Sequence, residues 1–454
     1  MTHEVKTPPV ARRLRTASFA GATSGVGPTT WGQTAIRRAL AALAPHDDQF
    51  NIQWSSRLDE PVPVDVVLRV VGDLFWSHES LRTLLRERDG GYEQTVHADG
   101  EITVVEDVVA LPGTADDPED AAEEAAQRLR TELLADPFDY GDEWPARVGL
   151  VTSGGLVRHL VLAMSHTAVD GWGLPQLGTD LAALAQGASP AELVTSRSAL
   201  QPLAEAADQA SEGGRRRDEA ARSRTIALMR SAPTVMFPAT ASPGYRQAVL
   251  RGRRTTSSLD RAVDRLGVSS STILLAASCA AIAEAATRDD CVVQVMVNNR
   301  FVPGLAGAVS PVAMEGLLYV DGLDAPFDTV VRRVWKASMT AYRSAYYDKD
   351  RLLQDVALDP TARYDGTCWY NDRRGTGPDQ AVRARPTRHH RLAWGDVPEK
   401  QGGATLVLHV LDAPGALDLS LIVDLARVDA AAAERILRAT ERNVLRAGGV
   451  LRGR

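Results

Sequence analysis

The chain has 454 residues, with 58 Asp+Glu against 51 Lys+Arg, a formal net charge of −7, and 44% hydrophobic and 24% charged residues. That length gives a prior of about two to three domains of roughly 150 residues each, and the composition excludes global disorder. A mildly acidic balance without a long basic run argues against nucleic acid as a partner. No run reaches the ~18 apolar residues of a membrane span, so no membrane association is expected.

Cys279, Cys291 and Cys368 form no C-x-x-C pair and read as small buried fillers in a reducing compartment. The stretch with Arg12, Arg13 and Arg15 lacks the apolar core of a secretory signal, so the expected location is cytoplasmic.

In chain order, residues 32–43 read as a helix. The apolar run 65–71, with Val66, Val67, Leu68 and Val70 between turn residues, reads as a strand. Ser77 then sits where an N-cap belongs, Glu79 suits a first turn, and Leu81, Leu84 and Leu85 make the stripe of a following helix. Residues 102–105 are predicted as a strand and 118–134 as a helix. Residues 156–164 are almost continuously apolar, as in an interior strand covered on both faces. Leu174, Leu177, Leu181 and Leu184 give a helical stripe directly after it.

Residues 187–224 are rich in Ala, Ser, Arg and Glu and weakly periodic, which suits a crossover between an N-terminal half, residues 1–186, and a C-terminal half, residues 225–454. Its Arg-rich end, 215–224, is interleaved with Asp218 and Glu219 and reads as a solvated helix face. In the C-terminal half, Ser269 to Ser271 can cap an Ala-rich helix ending near Ala286. Strands are predicted at 292–297, 317–320, 406–411 and 419–425, with the last two as a pair, and helices at 327–342 and 430–445. Strands and helices alternate in both halves, so the fold class is α/β or mixed α+β.

The informative spot is Ser165-His166-Thr167-Ala168-Val169-Asp170-Gly171 at the end of the predicted buried strand. Functional loops gather at strand ends, and an imidazole with a pKa near 6.5 can take a proton from an attacking amine or hydroxyl. Asp170 can accept from the imidazole or pair with an Arg, and Gly171 permits a tight turn. On spacing alone, a structural His capping a strand is the favoured reading.

The segment resembles the H-H-x-x-x-D-G motif of nonribosomal peptide synthetase condensation domains, in the chloramphenicol-acetyltransferase-like superfamily. Thr30-Trp31-Gly32-Gln33 is similar to that family's first motif, and Ser77-His78-Glu79-Ser80-Leu81-Arg82-Thr83 to its R-H-E-x-L-R-T motif. Residues 137–147 look like the segment before the catalytic strand. Asn298-Asn299-Arg300 and residues 307–320 are looser matches to second-lobe stretches.

The resemblance implies two acetyltransferase-like lobes in a V-shaped pseudo-dimer with a central tunnel. It implies a monomeric acyltransferase of bacterial specialised metabolism that forms an amide or ester from a carrier-bound acyl thioester. His166 maps onto the catalytic His and Asp170 onto the structural Asp. No adenylation signature or carrier Ser motif is evident, so the expected unit is free-standing. It would use a phosphopantetheine thioester on a peptidyl or acyl carrier protein in trans, or coenzyme A, with no tightly bound cofactor and no metal.

Ser165 replaces the first motif His, and Ser77 replaces the motif Arg that would hold Asp170. Arg82 and Arg300, ahead of Arg147, are the expected substitutes, and Asn371 is a candidate polar tunnel residue. Two alternatives stay open: an acyl-CoA-dependent transferase using the same His, and a degenerate condensation-like domain that recruits a partner protein. Gly21 to Gly27 imitates a dinucleotide fingerprint without the preceding strand and reads as a flexible loop. His389-His390, among Arg383, Arg385, Arg388 and Arg391, reads as a solvated loop, not a metal site.

Overall fold

A computed structural model describes residues 10–109, 118–240, 244–363, 366–376, 384, 386–387, 390–397 and 403–450. The chain is a mixed α/β protein that divides into two compact units, Met1–Ser211 with Arg300–Val312, and Glu212–Asn299 with Ala313–Arg454. The boundary falls inside the stretch expected as one crossover, which is three helices divided between the units. Residues 300–312 belong to the first unit although they lie far along the chain, and no sequence pattern announces that return.

The first unit opens with strands β1 (Val10–Phe19) and β2 (Gly25–Pro28) and helix α1 (Trp31–Leu43). Thr30 and Gln33 cap α1 reciprocally: the Thr30 hydroxyl accepts from the Gln33 N–H at 3.1 Å, and the Gln33 side chain accepts from the Thr30 N–H at 2.8 Å. Strand β3 (Ile52–Pro63), helix α2 (Val64–Ser77) and strands β4 (Thr83–Arg88), β5 (Gly91–Val96) and β6 (Gly100–Val109) follow. Then come helix α3 (Pro118–Leu134), strands β7 (Ala146–Ser153) and β8 (Leu156–Met164), and helices α4 (Leu174–Ala185), α5 (Pro190–Arg197) and α6 (Pro202–Ala210). One sheet runs β1-β6-β7-β8-β3 and a smaller one β2-β5-β4. The larger sheet buries α2 and α4 against one side and α3 against the other.

The second unit begins with helix α7 (Glu212–Ser231), strand β9 (Tyr245–Gly252) and helices α8 (Thr255–Leu266) and α9 (Ser270–Ala285). It continues through β10 (Cys291–Val297), β11 (Met314–Val320), α10 (Phe327–Arg343), α11 (Lys349–Leu358) and β12 (Cys368–Asp372). Strands β13 (Leu392–Asp396), β14 (Leu406–Ala413) and β15 (Ala416–Asp424) and helix α12 (Ala430–Ala447) complete it. Its sheet order is β11-β10-β12-β14-β15-β9-β13. Ser269 caps α9 as expected, accepting from the Thr272 N–H, and β14 and β15 form the predicted pair. The three cysteines form no disulfide and are buried in this core. No single helix among the described residues is long and apolar enough to cross a membrane.

Three expectations fail locally. Residues 65–71 are helix, not strand: Val64, Val67, Val70, Val71, Leu74 and Phe75 are all buried in α2, so the continuous apolar run is a helix covered on much of its circumference. Ser77 ends that helix instead of capping another, donating its hydroxyl to the Asp73 carbonyl at 2.8 Å, and Leu84 and Leu85 lie in β4. The glycine-rich 21–27 stretch is not free: β2 pairs with β5, and the Arg82 guanidinium donates to the Thr23 carbonyl. His389 and three of its neighbouring arginines lie outside the described residues; His390 is exposed, as a solvated loop requires.

Candidate functional site

Strand β8 lies between β7 and β3 and is buried along nearly its whole length, so it ends in a sharply defined place. The Ser165 N–H donates to the Pro145 carbonyl at 3.0 Å, and the Ala168 N–H closes a turn onto the Ser165 carbonyl at 3.0 Å. Ser165 is buried, with its hydroxyl 2.8 Å from that of Thr167 and accepting from the Thr167 N–H at 3.2 Å. The turn thus directs Ser165 inward and leaves the His166 ring half-buried, tilted beside Phe50 with 6.0 Å between ring centroids.

Asp170 is the anchor of this loop. Its carboxylate is buried and receives two arms of the Arg300 guanidinium, at 2.9 Å and 3.1 Å. Two backbone donors complete it, the Gly173 N–H at 2.9 Å and the Val312 N–H at 3.1 Å. A buried carboxylate is tolerated only with such full pairing, and the two-armed Arg contact fixes direction as well as charge. Arg300 also donates to the Ala308 carbonyl at 2.8 Å, closing residues 300–312 into a strap.

The strap gathers the motifs. A Cβ on Gly32 would overlap the Pro311 carbonyl oxygen, so only glycine allows α1 to approach there. Ser80 donates to the Val309 carbonyl at 2.6 Å, and the Leu200 N–H to the Gly304 carbonyl at 2.8 Å.

Of the two arginines expected to hold Asp170, Arg300 does and Arg82 does not. Arg82 is 2% exposed and donates to the carbonyls of Phe75 at 3.0 Å and His97 at 2.7 Å, besides that of Thr23. Burial pushes its guanidinium pKa down, and its work is to tie the 21–28 stretch to the end of α2. Arg147 pairs with Glu143 at 2.6 Å and with carbonyls near Pro137. Gly171 is not in the left-handed region, so a turn needing positive φ is not its role. The glycine that matters is Gly173: a Cβ there would meet Val169 at 2.8 Å and the Arg300 guanidinium at 3.2 Å. Asn371 belongs to the second unit, on β12, with its side-chain oxygen buried and without a hydrogen-bond partner among the described residues.

A second buried carboxylate escapes the sequence reading. Asp180 on α4 lies 3.1 Å from His78 Nε2 and 2.5 Å from the Arg197 guanidinium as an ion pair, and accepts a hydrogen bond from Gln176 at 2.9 Å. Burial works to raise its pKa, and the His78 hydrogen bond with the Arg197 charge outweighs that and leaves the carboxyl below its ordinary value. Burial lowers the His78 pKa. The available signal is an acid inside the leucine stripe, between Leu177 and Leu181.

The condensation domain family model matches residues 30–364, which takes in the α1 cap, the His166 loop and the strap. This chain belongs to the condensation domain family. Among curated relatives, phosphinothricin tripeptide synthetase PhsC of Streptomyces viridochromogenes is 33% identical over 153 residues, covering 33% of this chain and 13% of that protein. Cyclosporin synthetase of Tolypocladium inflatum is 26% identical over 331 residues, covering 68% of this chain and 2% of that protein. The chain therefore spans only a small fraction of the length of those relatives. A solved structure described as the molecular basis for condensation domain-mediated chain release from the enacyloxin polyketide synthase superposes with a TM-score of 0.70 at 18% identity, covering 98% of this chain and 85% of that one. That agreement establishes the condensation-domain fold, of the chloramphenicol-acetyltransferase-like kind, over nearly the whole chain.

Proposed function

We propose that this condensation domain transfers an acyl group from a phosphopantetheine thioester to an amine or hydroxyl, in biosynthesis of the nonribosomal-peptide type. The observation that carries the reading is the Asp170 anchor: four donors on one buried carboxylate hold the loop that presents the half-buried His166 ring.

In this scheme His166 accepts the proton of the attacking N–H or O–H as the nucleophile adds to the thioester carbonyl. The C–S bond then breaks, the new amide or ester remains, and the departing thiolate takes up a proton. A thioester is already activated, so orientation and proton transfer supply the acceleration, with proton transfer alone worth about 10²- to 10⁴-fold. Ser165 shapes the turn through Thr167, and Asp170 and Arg300 keep the loop in place without touching substrate. The acyl donor is proposed to arrive on a carrier protein supplied in trans.

The test is product formation by wild type and His166→Ala with acyl-carrier protein, acyl-CoA and a panel of amines and alcohols. Expected is turnover with the carrier-bound donor that falls at least about 100-fold in the variant. Unchanged product in His166→Ala overturns the role of His166. Turnover from acyl-CoA alone replaces the carrier by coenzyme A. Binding of a partner with no turnover by either protein favours recruitment, the reading that Ser165 and Ser77 in place of the family His and Arg would favour.

A further inference from the structure

The proposed chemistry leaves one buried group of charges unused. Asp180 is in the second turn of α4, the helix that begins where the His166 loop ends, and its side chain is 3% exposed. Its partners come from two other elements: His78 follows α2 and is 1% exposed, and Arg197 ends α5 and is 8% exposed. Arg197 also approaches His78 Nδ1, at 3.4 Å. The ring is thus flanked by the Asp180 carboxylate on its Nε2 side and by the Arg197 guanidinium on its Nδ1 side. The charges facing the ring are those of Asp180, Arg197 and, more distantly, Arg82.

A buried ionic cluster gives little net stability over well-packed apolar side chains of the same volume, so stability does not account for this one. Its position gives a better account. Gly307 in the strap has φ +73°, and a Cβ there would lie 3.1 Å from Arg197 Cγ and 3.6 Å from the Gln176 side-chain oxygen. Ala308, the next residue, is the one whose carbonyl accepts from Arg300. The cluster therefore braces the strap beside the residues that hold Asp170, and it braces α4 directly after the loop.

We propose that His78, Asp180 and Arg197 are positioning residues, locking α4 and the strap to each other so that the Asp170–Arg300 pair holds His166 in a single orientation. The kinetic side of this inference rests on the acyl-transfer reading; the structural side does not. A small misplacement of a catalytic group lowers rate much more than binding, so the signature is a fall in kcat with KM little changed.

The experiment compares wild type, Asp180→Asn, Arg197→Met and Arg197→Lys by amide hydrogen exchange and by steady-state kinetics. Expected are faster exchange confined to residues 165–173 and 300–312 in Asp180→Asn and Arg197→Met, with β7 and β8 unchanged. In the same two variants kcat falls on the order of tenfold, and Arg197→Lys restores some of it by keeping the charge. Should Arg197→Met not fold, the isosteric Asp180→Asn and the conservative Arg197→Lys still carry the comparison. Exchange that is unchanged, or that rises evenly across the first unit, overturns the proposal, as does an unchanged kcat in Asp180→Asn beside an active wild type. If wild type itself makes no product, the acyl-transfer reading has failed, and the exchange pattern alone decides whether the brace exists.

Discussion

The helix α4 of the first unit and the helix α9 of the second are both buried against sheets, yet they are held by different forces. Along α9, residues from Thr272 to Ala283 are almost all buried and apolar, and Ser278 turns its hydroxyl back onto the Leu274 carbonyl at 2.8 Å. Around α4, the buried set includes Asp170, Asp180 and His78, each with a named ion-pair or hydrogen-bond partner. Apolar burial is nondirectional and tolerates repacking, whereas a buried ion needs its partners at particular angles. The first unit has therefore concentrated direction-setting contacts beside the loop that carries His166. The second unit buries a continuous apolar core around its own long sheet.

That contrast can be broken experimentally, beginning with its largest consequence. Arg300→Met strands the Asp170 carboxylate in a buried site, and its expected cost is about 3–5 kcal/mol in urea-induced unfolding. Combining it with Asp170→Asn should return some of that loss, because the uncompensated charge is gone. A smaller effect is expected from Gly32→Ala, whose Cβ runs into the Pro311 backbone: about 1–3 kcal/mol and a displaced strap, read as lost exchange protection at 300–312. By contrast, Leu275→Met in α9, fully buried but held only by apolar contact, should cost less than about 1.5 kcal/mol.

The pH dependence sharpens the same comparison with a smaller signal. Burial lowers the His78 pKa, so the native state resists a proton that the unfolded chain accepts once pH falls below the ordinary value of 6.5. Stability should therefore drop as pH falls from about 7.5 towards 5.5, read as Tm against pH. His78→Gln should flatten that curve without abolishing it. His159 is shifted downward by burial as well and preserves the remainder of the slope.

The fold is legible wherever period and punctuation agree. Strand β8, helix α3, the Ser269 cap of α9 and the β14–β15 pair all lie where their residues predict. The plainest exception is α2, because a helix buried on most sides loses its polar face and reads like an interior strand. The site is half legible. His166 and Asp170 stand out because a His and an acid end a buried apolar run, and Arg300 is among the expected partners of that acid. Arg82 is expected there too, since a motif Arg carries no sign of whether it will meet a carboxylate or a cage of carbonyls.

The amino-acid sequence by itself determined the alternating elements, the family and the loop that carries the imidazole, since these rest on local pattern and on short motifs. Only the tertiary structure decided which charges are paired. Asp170 meets Arg300 and the Val312 N–H across more than a hundred residues of chain, and Asp180 meets His78 and Arg197 from three separate elements. The physical reason is that a buried charge takes whatever donor the fold brings within hydrogen-bond reach, and that proximity is set by chain return, not by spacing along the sequence.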